Sequence, residues 1–503
     1  MSIVPISAAT TAPAPQPASP SEPSDQGHGS RNLRLSDATV NKLTRTPSDF
    51  FSAIGRVGRH CSGRGLDRVM VLVVVRQLLH SCEDRLHETR EGIVERTGVY
   101  WRIAVWRIGM VMMPTFASAG LQAHSQSQTA QSPGQANATA QNDASQLTAF
   151  PTPPIPGPLQ APPAHTFEAG PFGTLNYNFL LSGIGVWQAN PVLSDNSANS
   201  RLEDAKFFLQ KTTSWWQFYV QAGAYNIPAL GTPFTSTQKT VFDFYGPAPV
   251  AYLNFLTAKS TSIQIGSLPA LTGAERPFDF RNMNVERGLP WNQENVINRG
   301  IQVNQTLGKF AASFSWNDGF YSSRYSWPSG SLTYTNGPHS VAFTAATNLG
   351  QTAFRNLATP VQNNSSMYAV IYAYANGHWI VQPYFQCTTV PTNLKARITN
   401  GSSTRGGAVL ASRTFSHGFS LAGRAEYIAS TGSAAHESAN LLYGPVSAAW
   451  SLTLTPAYQY KRFFTRTEFS FVQAKSYCPG DAFGPAGLDR NQPRGMIEAG
   501  FAF

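Results

Sequence analysis

The side chains best suited to electrostatic chemistry are concentrated in one stretch, Leu271 to Gly300. Acidic and basic residues follow one another there at short spacing, with no histidine or cysteine among them. Such groups attract, repel or pair with ions, but they do not by themselves form an activated nucleophile. Whether these charges pair with one another or act on passing ions therefore depends on the secondary-structure elements around the stretch. The candidate residues are Glu275, Arg276, Asp279, Arg281, Glu286 and Arg287.

Residues that could support catalysis are not grouped in any recognisable way. No G-x-S-x-G motif occurs, and no histidine adjoins a serine together with a third partner, so an outer-membrane lipase is not indicated. No metal-ligand spacing or phosphate-binding loop is found, and no cysteine lies in a C-x-x-C pair. We therefore expect no catalytic residue, metal or cofactor. Cys387 and Cys478 can pair in an oxidising compartment, which the sequence leaves open.

The composition favours a membrane barrel over a soluble domain. Of 503 residues, 42% are hydrophobic and only 13% are charged. The charged share is about half that of typical soluble proteins. No apolar run reaches the roughly 18 residues that a membrane-spanning helix needs. The net charge of +10 is spread without basic runs, so a nucleic-acid partner is not indicated.

Alternating stretches of polar and apolar residues recur in pairs from about residue 174 onward. Asn-Gly and other glycine-containing links within each pair are typical of hairpin turns. Seven tight turns and eight long loops predict an all-β, transmembrane, antiparallel up-and-down barrel of about 16 strands over residues 166–503. The tight turns are expected at Lys211–Ser214, Lys259–Thr261, Gly308–Lys309, Asn336–His339, Asn376–His378, Ser416–Gly418 and Lys461–Arg462.

The last residues, Asn491 to Phe503, predict the closing strand. Ile497, Phe501 and Phe503 share one face with Ala499, and Glu498 lies on the other. An exposed apolar edge strand would invite aggregation, and a closed barrel removes that edge. The ending on Phe501 and Phe503 resembles the C-terminal signal of bacterial outer-membrane barrels. This resemblance implies recognition by the barrel-assembly machinery and contact with outer-membrane lipid.

The first 165 residues differ from the rest in composition. Residues 101–119 resemble a signal peptide, with an apolar run from Ile108 to Phe116 and an A-x-A cleavage site at Ala117 and Ala119. We expect translation to begin near residue 100, so residues 1–100 are a non-native or disordered extension; the alternative is a cytoplasmic or signal-anchor domain. Residues 120–165 are rich in Gln, Ser and Pro and predict a periplasmic linker.

The charged stretch also carries a resemblance to a known family. The string I-Q-I-G-S-L-P-A-L-T-G-A-E, then Asn282 to Gly288, then R-G-I-Q-V-N, is similar to the OmpL-like β-barrel porin family, as is the terminal E-A-G-F-A-F. The resemblance spans roughly Phe172 to Phe503. It implies a porin of the bacterial outer membrane whose third long loop folds into the lumen and narrows it. It also makes a homotrimer plausible, although a monomer is equally consistent with the sequence.

With that resemblance, the six charged candidates become a predicted pore constriction. Opposed acidic and basic side chains across a constriction filter ions by charge. Inward-facing charges on the predicted strands would form the opposite wall, while pairing inside a closed barrel remains the alternative. These wall residues are Arg424, Glu426, Lys461, Arg466 and Glu468.

The predicted function is passive diffusion of small hydrophilic solutes or ions, because a barrel of about 16 strands is wide enough for an aqueous lumen. The alternative is a surface adhesin or structural anchor with a closed or plugged barrel. An active transporter would need some 22 strands and a globular plug, for which the linker is too short.

Overall fold

The computed structural model describes residues 158–160, 162–350 and 360–503. Seventeen strands occur in this part of the chain, joined in one sheet. From β2 to β17 each strand pairs antiparallel with the next, and β17 pairs with β2, so sixteen strands close a barrel. The predicted all-β, up-and-down barrel is thereby confirmed.

The strands are β1 (His165–Glu168), β2 (Thr174–Gln188), β3 (Ala198–Lys211), β4 (Trp216–Tyr225), β5 (Val250–Ala258), β6 (Thr261–Pro269), β7 (Ile297–Leu307), β8 (Phe310–Asn317), β9 (Trp327–Asn336), β10 (His339–Thr347), β11 (Ser366–Asn376), β12 (Trp379–Val390), β13 (Ser402–Thr414), β14 (Phe419–Ser430), β15 (Ala448–Tyr460), β16 (Phe463–Ser476) and β17 (Asn491–Ala502).

Helical segments in the described residues are short. They are Gly170–Phe172, Thr237–Thr240, Val241–Tyr245, Asp279–Arg281, Pro290–Gln293, Pro360–Asn363, Leu394–Ala396 and Ser416–Gly418. None of the described helices has the length and apolar character to cross a membrane.

All seven predicted tight turns are present, at residues 212–215, 259–260, 308–309, 337–338, 377–378, 415–418 and 461–462. Glycine provides the left-handed backbone that several of them require, with φ of 58° at both Gly308 and Gly337. The eight long loops lie on the opposite rim, at residues 189–197, 226–249, 270–296, 318–326, 348–365 (described at 348–350 and 360–365), 391–401, 431–447 and 477–490. We number these loops first to eighth in chain order.

The barrel wall is apolar outside and polar inside. On β15, Leu452 and Leu454 are 53% and 49% exposed, whereas Thr453 between them and Ser451 and Thr455 on either side are buried. A soluble β-sandwich buries its apolar face, so the opposite arrangement is that of a barrel surrounded by lipid. Aromatic pairs lie beside the tight turns, as where Phe419 and Tyr458 approach to 4.7 Å between ring centroids.

The closing strand has the predicted faces. Ile497 and Phe501 are exposed on the outside, and Glu498 is buried inside. Phe503 continues the ladder beyond β17, since its backbone exchanges hydrogen bonds with Phe179 at 3.0 and 2.8 Å. β1 then pairs with the first residues of β2, the stretch that β17 leaves unpaired.

A short segment before β1 reaches into the tight-turn end of the barrel. Leu159 is buried in a cluster with the inward-facing Leu180, Phe464 and Ala502. The backbone of Gln160 is held by Gln459, which accepts from its N–H at 2.8 Å and donates to its carbonyl at 2.6 Å. The interior of this end is therefore partly occupied by the chain itself.

Some predictions lie outside the described residues. These are the N-terminal extension 1–100, the signal peptide 101–119 with Ala117 and Ala119, and the linker up to residue 157. Cys387 and Cys478 are not joined to each other by a disulfide.

Candidate functional site: the third loop and the wall that holds it

The third loop, residues 270–296, connects β6 to β7 and packs against the inward faces of other strands. The predicted stretch ran to Gly300, but Ile297 onward belongs to β7. Phe278 and Phe280 are buried, and they meet Tyr225 and Phe208 edge-on at 5.5 Å between ring centroids in both cases. These contacts anchor the first half of the loop to β3 and β4 through apolar burial.

Arg466 on β16 forms the first ionic anchor of the loop. Its guanidinium pairs with Asp279 and with Glu498 of β17, the latter at 2.5 Å. It also donates to the backbone carbonyl of Asp279 at 3.0 Å. Because the pair is buried, Arg466 binds both the loop and the neighbouring strand in a geometry that water does not screen.

Arg424 on β14 forms the second anchor. It donates to Glu275 at 2.7 Å and to the backbone carbonyl of Glu286 at 2.6 Å, and its Nε lies 3.2 Å from Glu426. Arg494 on β17 pairs with the side chain of Glu286. Glu275 and Glu286 of the loop are therefore both bound to arginines of the wall.

Carboxylates of the wall hold the loop backbone in return. Glu468 accepts from the N–H groups of Val285 and Glu286 at 2.6 and 3.0 Å. Glu426 accepts from the N–H of Leu289 at 3.1 Å. A carboxylate that accepts from backbone N–H groups makes a strong, charge-assisted bond. Four of the five predicted wall residues, namely Arg424, Glu426, Arg466 and Glu468, are thus brought to the loop.

Gly288 is the one loop position where a side chain cannot fit between these carboxylates. A Cβ there would lie 1.6 Å from an oxygen of Glu426 and 2.9 Å from one of Glu275. The N–H of Gly288 donates to Glu275 at 2.7 Å. The absence of a Cβ is what allows both acids to close on the backbone.

Arg287 does not face an opening. It is fully buried, and its guanidinium donates to the carbonyls of Pro228 at 3.0 Å and Arg276 at 3.3 Å and to that of Pro277. The backbone of Arg287 also pairs with the second loop, since Leu230 donates to its carbonyl at 2.9 Å. Arg287 therefore joins the second and third loops.

Arg276 and Arg281 differ from the other candidates. Both are half-buried, and neither has a carboxylate within ion-pair distance among the described residues. They lie close enough for their charges to interact, and Arg281 is within electrostatic reach of Tyr219 and Tyr252. Those two tyrosines are paired across β4 and β5, with ring centroids 5.7 Å apart.

Lys461, the fifth predicted wall residue, lies elsewhere. It occupies the turn between β15 and β16, where it is exposed and its ammonium is 5.2 Å from the ring centroid of Tyr460. It takes no part in the ion pairs around the loop. The alternation of β15, if continued by one residue, would point Lys461 into the lumen. The strand ends at Tyr460, so the side chain of Lys461 does not reach the lumen.

The other half of the barrel is almost free of charge. From β5 to β11, the strands contain a single Lys, Arg, Asp or Glu, which is Arg299. Arg299 is bound to Asp318 at 2.7 Å. Inward amides and hydroxyls join one another there, as where Gln302 donates to Gln264 at 3.2 Å and Ser313 to Asn304 at 2.7 Å. The charged strands hold the loop through ion pairs, whereas the described strands from β5 to β11 form no ion pair with it.

Sequence reasoning missed several inward charges. Lys206 on β3 lies 4.1 Å from the ring centroid of Phe278 and 2.5 Å from Asp204. Arg494 was also not predicted, and Glu498, although placed on the polar face of the closing strand, was not included among the wall residues. The sequence does contain a signal for them. Each is a charged residue at one of the polar positions of an alternating strand, and such a side chain must point into the lumen. Among the described residues, no group of three or more His, Cys, Asp or Glu is arranged to hold a metal ion.

Comparison with known proteins gives one family match. The family model described as "Putative beta-barrel porin-2, OmpL-like" matches residues 176–503. No curated protein matches the sequence. Among solved structures, the chain is similar to OmpT of Vibrio cholerae expressed in the outer membrane, at a TM-score of 0.45 and 10% identity over 67% of this chain and 100% of that one. It is also similar to Salmonella typhi OmpF in complex with daunomycin, at a TM-score of 0.46 and 12% identity over 67% and 100% of the two chains.

Proposed function

Because the chain belongs to the OmpL-like β-barrel porin family and is an outer-membrane barrel of bacteria, we propose that it is a passive channel for small hydrophilic solutes and ions. The third loop narrows its lumen, and anions pass more readily than cations. One observation carries this proposal. Glu275, Asp279 and Glu286 of the loop are bound by wall arginines, whereas Arg276 and Arg281 have no carboxylate within ion-pair distance among the described residues.

The preference for anions follows from which charges remain uncompensated. An ion passing between the loop and the neutral wall of β5–β11 meets the field of Arg276 and Arg281, while the paired charges largely cancel at a distance. A unit charge about 8 Å away in water contributes about 0.5 kcal/mol. Because an anion is stabilised and a cation destabilised by this amount, the two differ by about 1 kcal/mol, and each arginine should change the anion-to-cation permeability ratio by about five- to sixfold.

The test is the reversal potential of the refolded protein in a planar bilayer under a potassium chloride gradient. Wild type should show discrete open steps and a reversal potential of the sign that chloride preference produces. Arg276→Gln combined with Arg281→Gln should move that potential toward zero. Arg324→Gln removes an exposed arginine of the fourth loop and serves as the matched control, which should leave the potential nearly unchanged.

Two results would contradict the proposal in different ways. An unchanged reversal potential in the double variant would show that these arginines do not face the permeating ions. Complete silence from protein that is folded by heat-modifiable gel migration would favour the closed barrel of an adhesin or anchor.

A further inference from the structure

Three exposed cations lie close together on the barrel at its tight-turn end. They are Arg413 of β13 and Lys461 and Arg462 of the turn between β15 and β16. Because β14 pairs with both β13 and β15, the two hairpins that carry these residues are neighbours. No Asp or Glu occurs at residues 411–420 or 457–464. We call the three residues the basic arc.

Each residue of the basic arc lies beside an aromatic ring of the outer face. Measured from the charged group to the ring centroid, the distances are 5.1 Å for Arg413 and Trp379, 5.2 Å for Lys461 and Tyr460, and 5.8 Å for Arg462 and Phe503. Trp379 and Tyr460 are 45% and 58% exposed. Outward aromatic residues at strand ends mark the level where a barrel passes from the hydrocarbon of the membrane to the headgroups. The basic arc therefore lies at headgroup level, on the lipid side of the wall.

The charge of the basic arc is not balanced by the protein. Within the described part of the chain, none of the three residues has a carboxylate at ion-pair distance. The carboxylate of Phe503, near Arg462, instead accepts from the amide of Asn178 at 2.9 Å and from the N–H of Phe179 at 3.0 Å. β13 and β15 are two strand spacings apart, about 10 Å, which is about one Debye length at physiological salt. The fields of the three cations therefore add at an anion placed between them.

We propose that the basic arc binds the headgroup of an anionic phospholipid. In outer-membrane barrels the short turns face the periplasm, so the lipid belongs to the periplasmic leaflet. The phosphate oxygens accept charge-assisted hydrogen bonds from the two guanidinium groups and the ammonium group. The acyl chains lie along the apolar outer wall beside Trp379 and Tyr460.

The surroundings of the basic arc select this ligand over two related ones. A zwitterionic lipid offers the same phosphate, but its own ammonium group opposes the field of the three cations. A soluble phosphate makes the same ion pairs but gains nothing from the apolar wall next to them. The proposal goes beyond the conduction of ions, because a lipid on the outer face does not require an open lumen.

Native mass spectrometry of the full folded protein in detergent tests the proposal. Phosphatidylglycerol and phosphatidylcholine with the same acyl chains are added in equal amounts, and wild type should retain phosphatidylglycerol in preference. Each cation near an anionic surface contributes about fivefold in affinity. Arg413→Gln, Lys461→Gln and Arg462→Gln combined should therefore lower the preference at least tenfold. Arg413→Lys combined with Arg462→Lys keeps the charge and should keep most of the preference.

The matched control removes the same number of charges from the other end of the barrel. Arg324→Gln, Lys395→Gln and Lys475→Gln combined neutralise three exposed cations at the long-loop end, and the lipid preference should stay nearly unchanged. Heat-modifiable gel migration shows whether each variant is folded. If the triple variant of the basic arc fails this check, Arg413→Gln alone and Lys461→Gln with Arg462→Gln measure the two hairpins separately.

Every other result overturns the proposal in a defined way. Equal retention of the two lipids by wild type would mean that no anionic lipid is selected. A preference that survives in the triple variant would place the lipid elsewhere, and equal losses in the triple variant and its control would assign the effect to net charge. Displacement of phosphatidylglycerol by an equal concentration of sn-glycerol 3-phosphate would show that the ligand is a soluble phosphate.

Discussion

Replacing Arg424 by methionine should release the third loop from the barrel wall. The substitution keeps most of the side-chain volume and removes the charge. In the native protein this guanidinium lies 2.7 Å from Glu275 and 3.2 Å from Glu426, and it also bonds the carbonyl of Glu286 at 2.6 Å. The variant leaves two buried carboxylates without their cation.

The expected size of the effect follows from burial. Removing one partner of a buried ion pair typically costs about 3–5 kcal/mol, because the remaining charge is uncompensated. At about 1.4 kcal/mol per tenfold change, the ratio of docked to released loop should fall by about 10²- to 10⁴-fold. The ladder hydrogen bonds of β13 to β15 are not touched, so the barrel itself should still form.

Single-channel recording and limited proteolysis together measure the release. Arg424→Met should show larger and noisier current steps than wild type, and cleavage within residues 270–296 should be faster. Arg413→Met removes an exposed arginine of the neighbouring strand β13 and is the matched control. Adding Glu275→Gln to Arg424→Met should restore part of the docking, because it neutralises one of the stranded acids.

The reasoning would be refuted if Arg424→Met, with normal heat-modifiable migration, kept the step size, current noise and protease resistance of wild type. That result would mean that apolar packing of Phe278 and Phe280 alone fixes the loop, and that the ion pairs add nothing measurable.

Three further predictions follow from the same contacts. Gly288→Ala should displace the loop as Arg424→Met does, because the new methyl group would overlap Glu426, and proteolysis of the loop measures it. Arg287→Met leaves buried carbonyls unpaired, which should lower the free energy of unfolding by about 1–3 kcal/mol and with it the midpoint of thermal unfolding. The reversal potential should not change. Burial, with added repulsion from Glu275, raises the pKa of Glu294 well above its usual range near 4.5. Since the unfolded chain ionises first as pH rises, this residue makes the folded protein less stable above about pH 4.5, and Glu294→Gln should flatten that part of a pH series of unfolding midpoints.

The barrel could be predicted from the sequence because its signals are local. Hairpin turns such as Asn376-Gly377-His378 and the alternation along Trp450 to Tyr460 each depend on a few adjacent residues. The closing strand could be predicted in the same way, since the alternation puts Ile497 and Phe501 on one face of the strand and Glu498 on the other. The inward positions of Arg424 and Glu468 follow from the same alternation.

The partners of those charges could not be predicted in this way. Glu275 and Arg424 are 149 residues apart in the chain, and Arg494 and Glu286 are 208 apart. Local periodicity gives the face of a residue but not the strand across the lumen that it meets. For the same reason Arg287 was predicted to belong to the constriction, although its guanidinium donates to backbone carbonyls of the second and third loops.

Charged and neutral side chains occupy different parts of the barrel wall, so the size of the passage and its ion selectivity depend on different residues. Because β5 to β11 carry only Arg299, which is bound to Asp318, the wall facing the loop contributes little net field. On the proposed function, the size of the passage then depends on the buried arginines that hold the loop, and its charge preference depends on Arg276 and Arg281. Substitutions in the first set should change conductance, and substitutions in the second should change selectivity. Arg281→Gln should therefore weaken the preference for anions without altering the fold, because no carboxylate among the described residues depends on Arg281 for compensation.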